Sequence, residues 1–171
     1  MPAILSRATH LPKLGRFGWL MALYAENYGR LARLFAPADL VPGRYVSSIG
    51  DGLDLHLDVI QTHRYTVELR ITYGIIDPQT GEPDPSAFVR VYRDARQAEA
   101  THCYVGRRWQ DVIGMFPPPA ELISHRMRMN TFLGKWVEYL AERGHGVATL
   151  RRVDQDAAVA QRAQAEVGDA V

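Results

Sequence analysis

The chain has 171 residues, 47% of them apolar and 23% charged, a composition typical of one globular domain that can bury a core. Its 20 basic and 19 acidic residues give a formal net charge of +1, which excludes a global field that would draw the chain to bulk nucleic acid or to an anionic membrane. The single cysteine, Cys103, cannot close an intrachain disulfide and therefore favours a cytoplasmic location.

The first predicted element is a helix that follows an irregular N-terminal arm. Residues 1–16 contain two prolines and no periodicity, so we predict a flexible arm. From Phe17 to Phe35, apolar residues recur at spacings of three and four, which predicts a helix with one buried stripe. Its apolar run from Phe17 to Ala25 is too short to cross a membrane.

The middle of the chain alternates apolar and polar residues. In the stretch HRYTVELRITY (63–73), one face carries tyrosine, valine, leucine and isoleucine, while arginine, threonine and glutamate occupy the other. This period of two is typical of half-buried strands. The same pattern predicts five strands, at residues 44–49, 53–60, 64–73, 87–94 and 98–105.

A second helix and a tail complete the predicted elements. Helical spacing returns from Ala120 to Arg143, and Gly144 occupies the position of a C-terminal cap. Residues 151–171 lack an apolar stripe, so we predict a disordered or fraying tail. The single domain is therefore expected to comprise residues 17–150.

The order of helix, strands and helix predicts an α+β fold. We expect an antiparallel meander of about five strands, packed on one face by the N-terminal and the C-terminal helix. The opposite, polar face would stay uncovered and available for function.

The charges on the first hairpin suggest a strand register. Pairing residue 60 with residue 64 places Asp54 opposite Arg70 and His56 opposite Glu68. Pairing residue 58 with residue 64 instead sets Asp54 against Glu68, a repulsion. The first register is therefore favoured.

Arginine and aromatic residues concentrate on the predicted polar face and on the loops beside it. Guanidinium groups bind phosphate oxygens in pairs, and aromatic rings stack on bases. We therefore predict a non-enzymatic module that binds a small anionic ligand, such as a nucleotide or cyclic dinucleotide, or a protein partner, through this face and the 106–118 loop. Alternatively, some of these arginines only form ion pairs with neighbouring acids such as Asp94, Glu99 and Asp111. The candidate ligand-binding residues are Arg64, Arg70, Arg90, Tyr92, Arg93, Asp94, Arg107, Arg108 and Trp109.

Two alternative functions stay open. Asp54, His56 and Asp58 share one strand face and could serve a metal-assisted hydrolase, but neighbours on that face are roughly 6 to 7 Å apart. Metal ligands lie about 2.0 to 2.6 Å from the ion, so another strand would have to help, and Glu68 is a candidate. The other alternative is a structural module that forms a homodimer through the open face or an edge strand. No motif predicts a resident cofactor.

Catalytic serine or cysteine chemistry is poorly supported, because Ser47, Ser48 and Cys103 lack the local motifs of activated nucleophiles. At the start of the second helix, His125, Arg126, Arg128 and Asn130 are expected on the exposed side, with Met127 or Met129 turned inward.

Four segments together resemble one known family, the YqiB-like bacterial proteins, classified as a domain of unknown function (DUF1249). They are ENYGRLARLFAP (26–37), HRYTVELRI (63–71), FVRVYRDARQAE (88–99) and NTFLGKWVEYLAERG (130–144). The resemblance spans most of residues 20–145. It implies a small cytosolic bacterial protein with a link to nucleotide metabolism or signalling, and it assigns no catalytic residue.

Several positions match the family's pattern. Packing on the apolar faces accounts for Tyr65 and Trp136, whereas Arg64, Arg90 and Asp94 have no evident packing role. The full set is Asn27, Arg64, Tyr65, Arg90, Tyr92, Asp94, Asn130 and Trp136.

Overall fold

The computed structural model describes residues 15–76, 78–79, 81, 85–103 and 116–153. Two long helices and six strands make up this part of the chain. In chain order they are α1 (Arg16–Leu34), β1 (Gly43–Ser47), β2 (Leu55–Thr62), β3 (Thr66–Tyr73), β4 (Ser86–Tyr92), β5 (Gln97–His102), α2 (Pro119–Arg143) and β6 (Leu150–Arg152). Within the described ranges, neither helix combines the length and the apolar character that crossing a membrane requires.

The strands form one antiparallel sheet in the order β5-β4-β3-β2-β1-β6. The predicted α+β class, the meander and the two helices are confirmed. The sixth strand was not expected, because Arg151 and Arg152 fall in the predicted tail. At three residues it is too short for alternation to be recognised. Residues 154–171, and the arm up to residue 14, lie outside the described part.

One face of the sheet and the inner stripes of both helices share a single core. Leu55, Leu57, Val67 and Ile71 have no exposed surface, and each fully buried aliphatic side chain contributes about 1.5–3 kcal/mol. The helices contribute Leu31, Leu34, Met129, Leu133, Trp136, Val137 and Leu140 to the same cluster. Both helices therefore cover the same face, and the polar face points away from them.

The hairpin of β2 and β3 differs from the predicted register. Asp58 lies opposite Arg70, and His56 opposite Thr72, so the pairing of Asp54 with Arg70 was wrong. A register shift between Val59 and Gln61 marks a bulge, which adds one residue to β2 and breaks the uniform alternation that the prediction assumed. For the same reason Tyr65 lies in the turn, where it is 50% exposed rather than packed.

The two helices approach closely at Gly134, near the middle of α2. A Cβ atom at that position would lie 2.6 Å from Nη1 of Arg30 and 2.7 Å from Oδ1 of Asn27. Asn27 in turn donates from Nδ2 to the backbone oxygen of Asn130, at 3.0 Å. The absence of a side chain at Gly134 therefore permits a buried polar contact between α1 and α2.

The expectation that the start of α2 presents its polar residues to solvent is wrong for two of them. His125 is 1% exposed and Asn130 is fully buried, while Met129 points inward as expected. Asn130 accepts a hydrogen bond from the backbone N–H of Ala100 at 2.7 Å and donates to the backbone oxygen of Arg126 at 2.8 Å. It therefore holds the edge strand β5 against α2.

Candidate functional site on the polar face of the sheet

The register arranges the polar face in rows, because directly opposed residues of antiparallel strands share a face. One row crosses five strands: its first three residues alternate in charge, and its last two carry a phenyl ring and an imidazole ring. It consists of Arg44, Asp58, Arg70, Phe88 and His102. The row beside it consists of Arg151, Val46, His56, Thr72 and Ser86, and a further row consists of Gln61, Glu68, Arg90 and Glu99.

A cavity of about 390 Å³ lies over the first two rows, which we name the sheet-face cavity. Three residues that the sequence proposed for binding or metal ligation line it together: Arg70, His56 and Asp58. The complete lining is Arg44, Val46, His56, Asp58, Arg70, Thr72, Tyr73, Gly74, Ile76 and Val153.

Arg70 is held in place without a carboxylate partner. Its Nε donates to Oγ of Ser86 at 3.0 Å, and its guanidinium carbon lies 5.4 Å from the ring centroid of Phe88. Although Asp58 is its cross-strand neighbour, Arg70 forms no ion pair with any residue of the described ranges. A fixed guanidinium with uncompensated charge is suited to bind an oxyanion.

Arg90 and Arg126, by contrast, are neutralised by acids. Arg90 donates from Nε and Nη2 to Oε1 of Glu68, at 3.0 and 2.8 Å. Arg126 lies 3.2 Å from Oε2 of Glu99, whose other oxygen accepts from the hydroxyl of Tyr92 at 2.7 Å. Burial and then this bond to Glu99 raise the pKa of Tyr92, so its hydroxyl stays a donor at neutral pH.

A second cavity of about 210 Å³ lies beside this network, between β5 and the start of α2. Its arginines, Arg90 and Arg126, are both paired with acids, whereas Arg70 of the sheet-face cavity forms no ion pair within the described ranges. Its lining is Arg90, Glu99, Ala100, Thr101, Leu122, His125, Arg126 and Met129.

Other predicted ligand-binding residues lie elsewhere. Arg64 sits in the turn before β3, with its guanidinium 5.0 Å from the ring centroid of Tyr65. Arg93 donates its backbone N–H to Tyr65 at 2.8 Å, and Asp94 accepts from Ala95 at 2.9 Å. These three residues mark the hairpin end of the sheet and line neither cavity. The last three candidates, Arg107, Arg108 and Trp109, fall outside the described residues.

The metal alternative gains no geometric support. Across the described ranges, no three histidine, cysteine or acidic side chains lie close enough to hold a metal ion, and the triplet of Asp54, His56 and Asp58 is included in that statement. Glu68, the expected helper, is engaged by Arg90 instead.

Sequence analysis missed a buried Ser–His pair. Oγ of Ser47 lies 2.8 Å from Nδ1 of His145 and 2.6 Å from Oγ1 of Thr149. Because Ser47 has no exposed surface, this pair holds β1 to the segment after α2 and cannot attack a substrate. The Cys103 thiol is equally unsuited, since burial raises its pKa to about 12.

Two buried histidines make stability depend on pH. Burial is the main cause that lowers the pKa of both His125 and His145 below the ordinary 6.5. As the pH decreases, these histidines therefore become protonated in the unfolded chain before they do in the folded protein. The free energy of unfolding is at its full value above pH 6.5 and falls as the pH decreases below it. We expect a slope of up to about 1.4 kcal/mol per pH unit for each histidine, measured by urea unfolding between pH 7.5 and 5.5.

The exposed His63 supplies the control for this pH dependence. His125→Gln should flatten the slope, whereas His63→Gln should leave it unchanged. An equal slope in wild type and His125→Gln would contradict the assignment to His125.

The fold and this face define an α+β protein whose antiparallel sheet carries a cavity built around an arginine that forms no ion pair with a described residue. A family model described as Protein of unknown function (DUF1249) matches residues 30–146. Since the match covers more than half of the chain, the chain belongs to the DUF1249 family. No curated protein and no solved structure matches it.

Proposed function

We propose that this protein is a non-enzymatic binding module that holds a small anionic ligand, such as a nucleotide, in the sheet-face cavity. The observation that carries the proposal is Arg70, which is oriented by Ser86 and Phe88 and forms no ion pair with a described residue. With its Nε engaged, the guanidinium can offer its Nη groups to two oxygens of one phosphate or carboxylate.

The rest of the cavity supports the same ligand class. Beside Arg70, the lining includes the guanidinium of Arg44 and the carboxylate of Asp58. The volume of about 390 Å³ lies within the range of roughly 300–1,000 Å³ that small-molecule sites occupy. Tyr73 and Ile76 add apolar surface, which suits a ligand with an organic part as well as a charge.

The setting that fits this proposal is the cytoplasm of a bacterium. The single cysteine favours a reducing compartment, and the resemblance to bacterial proteins implies a link to nucleotide metabolism or signalling. We therefore place nucleotides and cyclic dinucleotides first among candidate ligands.

Thermal unfolding tests the proposal, because a ligand that binds only the folded state raises stability by RT ln(1 + [L]/Kd). The probes are inorganic phosphate, AMP and cyclic di-GMP at equal ionic strength. We expect at least one of them to raise the Tm in a concentration-dependent way. Arg70→Gln should weaken that binding by about tenfold or more, since a charge-assisted hydrogen bond pair is lost.

Arg64→Gln is the matched control, because it removes the same charge from the same hairpin outside the cavity. The unliganded Tm and circular dichroism of both variants establish that they are folded. A Tm that none of the three probes moves would refute the nucleotide form of the proposal. Equal affinity in wild type and Arg70→Gln would refute the site.

A further inference from the structure

A third cavity, on the helix side of the sheet, lies between the C-terminal halves of α1 and α2 and has a volume of about 300 Å³. Its walls are largely apolar, formed by Leu34, Val137 and Ala141. Polar groups come from Arg30, Arg33, Glu138, His145 and Gly146. We name this cavity the interhelical groove.

His145 brings a fixed imidazole to the groove although it is 4% exposed. Its Nδ1 is engaged by Ser47, whereas its buried Nε2 has no hydrogen-bond partner among the described residues. A buried polar nitrogen that is left without a hydrogen-bond partner destabilises the folded state. The imidazole therefore favours a ligand that supplies a partner for Nε2.

The hydrogen bonds behind His145 allow both tautomers of its neutral imidazole. Oγ1 of Thr149 lies 2.6 Å from Oγ of Ser47, accepts from the backbone N–H of Gly146 at 2.9 Å and donates to the backbone oxygen of Gly146 at 3.0 Å. When Thr149 donates to Ser47 and Ser47 donates to Nδ1, the proton of the imidazole sits on Nε2. When Thr149 donates to Gly146 instead, Ser47 can accept from Nδ1, and Nε2 is then an acceptor. An oxygen acceptor bound at Nε2 would select the first tautomer.

Charge around the groove favours an anionic acceptor. The lining carries two guanidiniums, of Arg30 and Arg33, against one carboxylate, of Glu138. Arg30 contacts Glu26 at 2.8 Å and Glu138 at 3.9 Å, so its charge is compensated. The exposed Arg33 forms no ion pair within the described ranges and leaves the rim positive.

We propose that the interhelical groove binds an aliphatic monocarboxylate, with its chain against Leu34, Val137 and Ala141 and its carboxylate toward His145 and Arg33. Apolar walls exclude a fully hydrated anion such as phosphate, while the imidazole and the arginine disfavour a plain hydrocarbon. The groove lies on the opposite side of the sheet from the sheet-face cavity. Binding here is thus independent of the anionic ligand proposed for that cavity.

Calorimetric titration of the full chain with hexanoate, and with 1-hexanol as its uncharged counterpart, tests this site. We expect hexanoate to bind at least about tenfold more tightly than hexanol, because either oxygen can accept from His145 but only the carboxylate brings a negative charge to Arg33. In nitrogen-15 spectra of the imidazole groups, hexanoate should shift the Nε2 signal of His145, which His145→Gln identifies by its loss.

Ala141→Phe fills the groove from an exposed position of α2, and Ala25→Phe makes the same change at an exposed position of α1 outside the lining. Hexanoate should bind at least about tenfold more weakly to Ala141→Phe and unchanged to Ala25→Phe and Arg70→Gln. Undetectable hexanoate binding, equal affinity for hexanol, or wild-type affinity in Ala141→Phe would each overturn the proposal.

Discussion

Asn130→Ala should lower the free energy of unfolding by about 2–4 kcal/mol. The substitution removes the acceptor of the Ala100 N–H and the donor to the Arg126 oxygen, and both Ala100 and Asn130 are buried. It also leaves a void between α2 and β5. Urea unfolding at pH 7.5 measures the loss, provided that the m-value stays constant.

Asn130→Asp distinguishes the hydrogen bonds from the volume of the side chain. The carboxylate can still accept from Ala100, but it faces the Arg126 oxygen at the position where the amide donated at 2.8 Å. We therefore expect a severe loss at pH 7.5 that is partly recovered at lower pH, where a protonated carboxyl can donate again. Thr131→Ala, on the exposed side of the same helix, should change stability by less than about 0.5 kcal/mol. A loss from Asn130→Ala as small as that of Thr131→Ala would show that the contact contributes little.

Gly134→Ala should destabilise the protein relative to Gly29→Ala by about 1–3 kcal/mol. Both glycines lie inside helices, so alanine brings each the same gain in helix preference, about 0.5–1 kcal/mol. At Gly29 the added Cβ meets only the flexible end of Arg33, at 3.5 Å, whereas at Gly134 it overlaps Oδ1 of Asn27. Thermal or urea unfolding of the two variants gives the difference directly.

A double-mutant cycle identifies the cause of the Gly134 effect. Asn27→Ala removes the atom that the new Cβ would strike, so Gly134→Ala should cost less in that background than in wild type. Purely additive effects would attribute the cost to another neighbour, such as Arg30.

Strong periodicity explains why most of the fold could be predicted from the sequence. The stripe from Phe17 to Phe35 and the glycine after Arg143 placed both helices within one residue of their observed bounds. Positions that depend on a partner across the structure were not predictable. Nothing in the sequence around Asn130 indicates that its side chain accepts a hydrogen bond from a backbone amide of the edge strand.

The candidate site could be predicted only in part. Alternation placed Arg70 and Arg90 on the polar face, and the suspected pairing of an arginine with Glu99 is confirmed by Arg126. The bulge after Val59 decided which acid faces which arginine, and a bulge leaves no clear trace in the pattern. Arg44 lines the sheet-face cavity and Ser86 accepts from Arg70 beside it, and both positions follow from how the neighbouring strands pair, so sequence analysis missed both.

The short strand β6 has a bearing on self-association. Among the described strands it lies at one edge of the sheet, where Arg151 and Arg152 follow each other in the chain and Arg151 is exposed. If a second molecule extended the sheet at this edge, its Arg151 and Arg152 would lie against the same two arginines of the first molecule. The repulsion between them disfavours the stacking of strands into fibrils. Concentrated solutions of this protein should therefore resist edge-to-edge aggregation, and more strongly at low salt than at high salt.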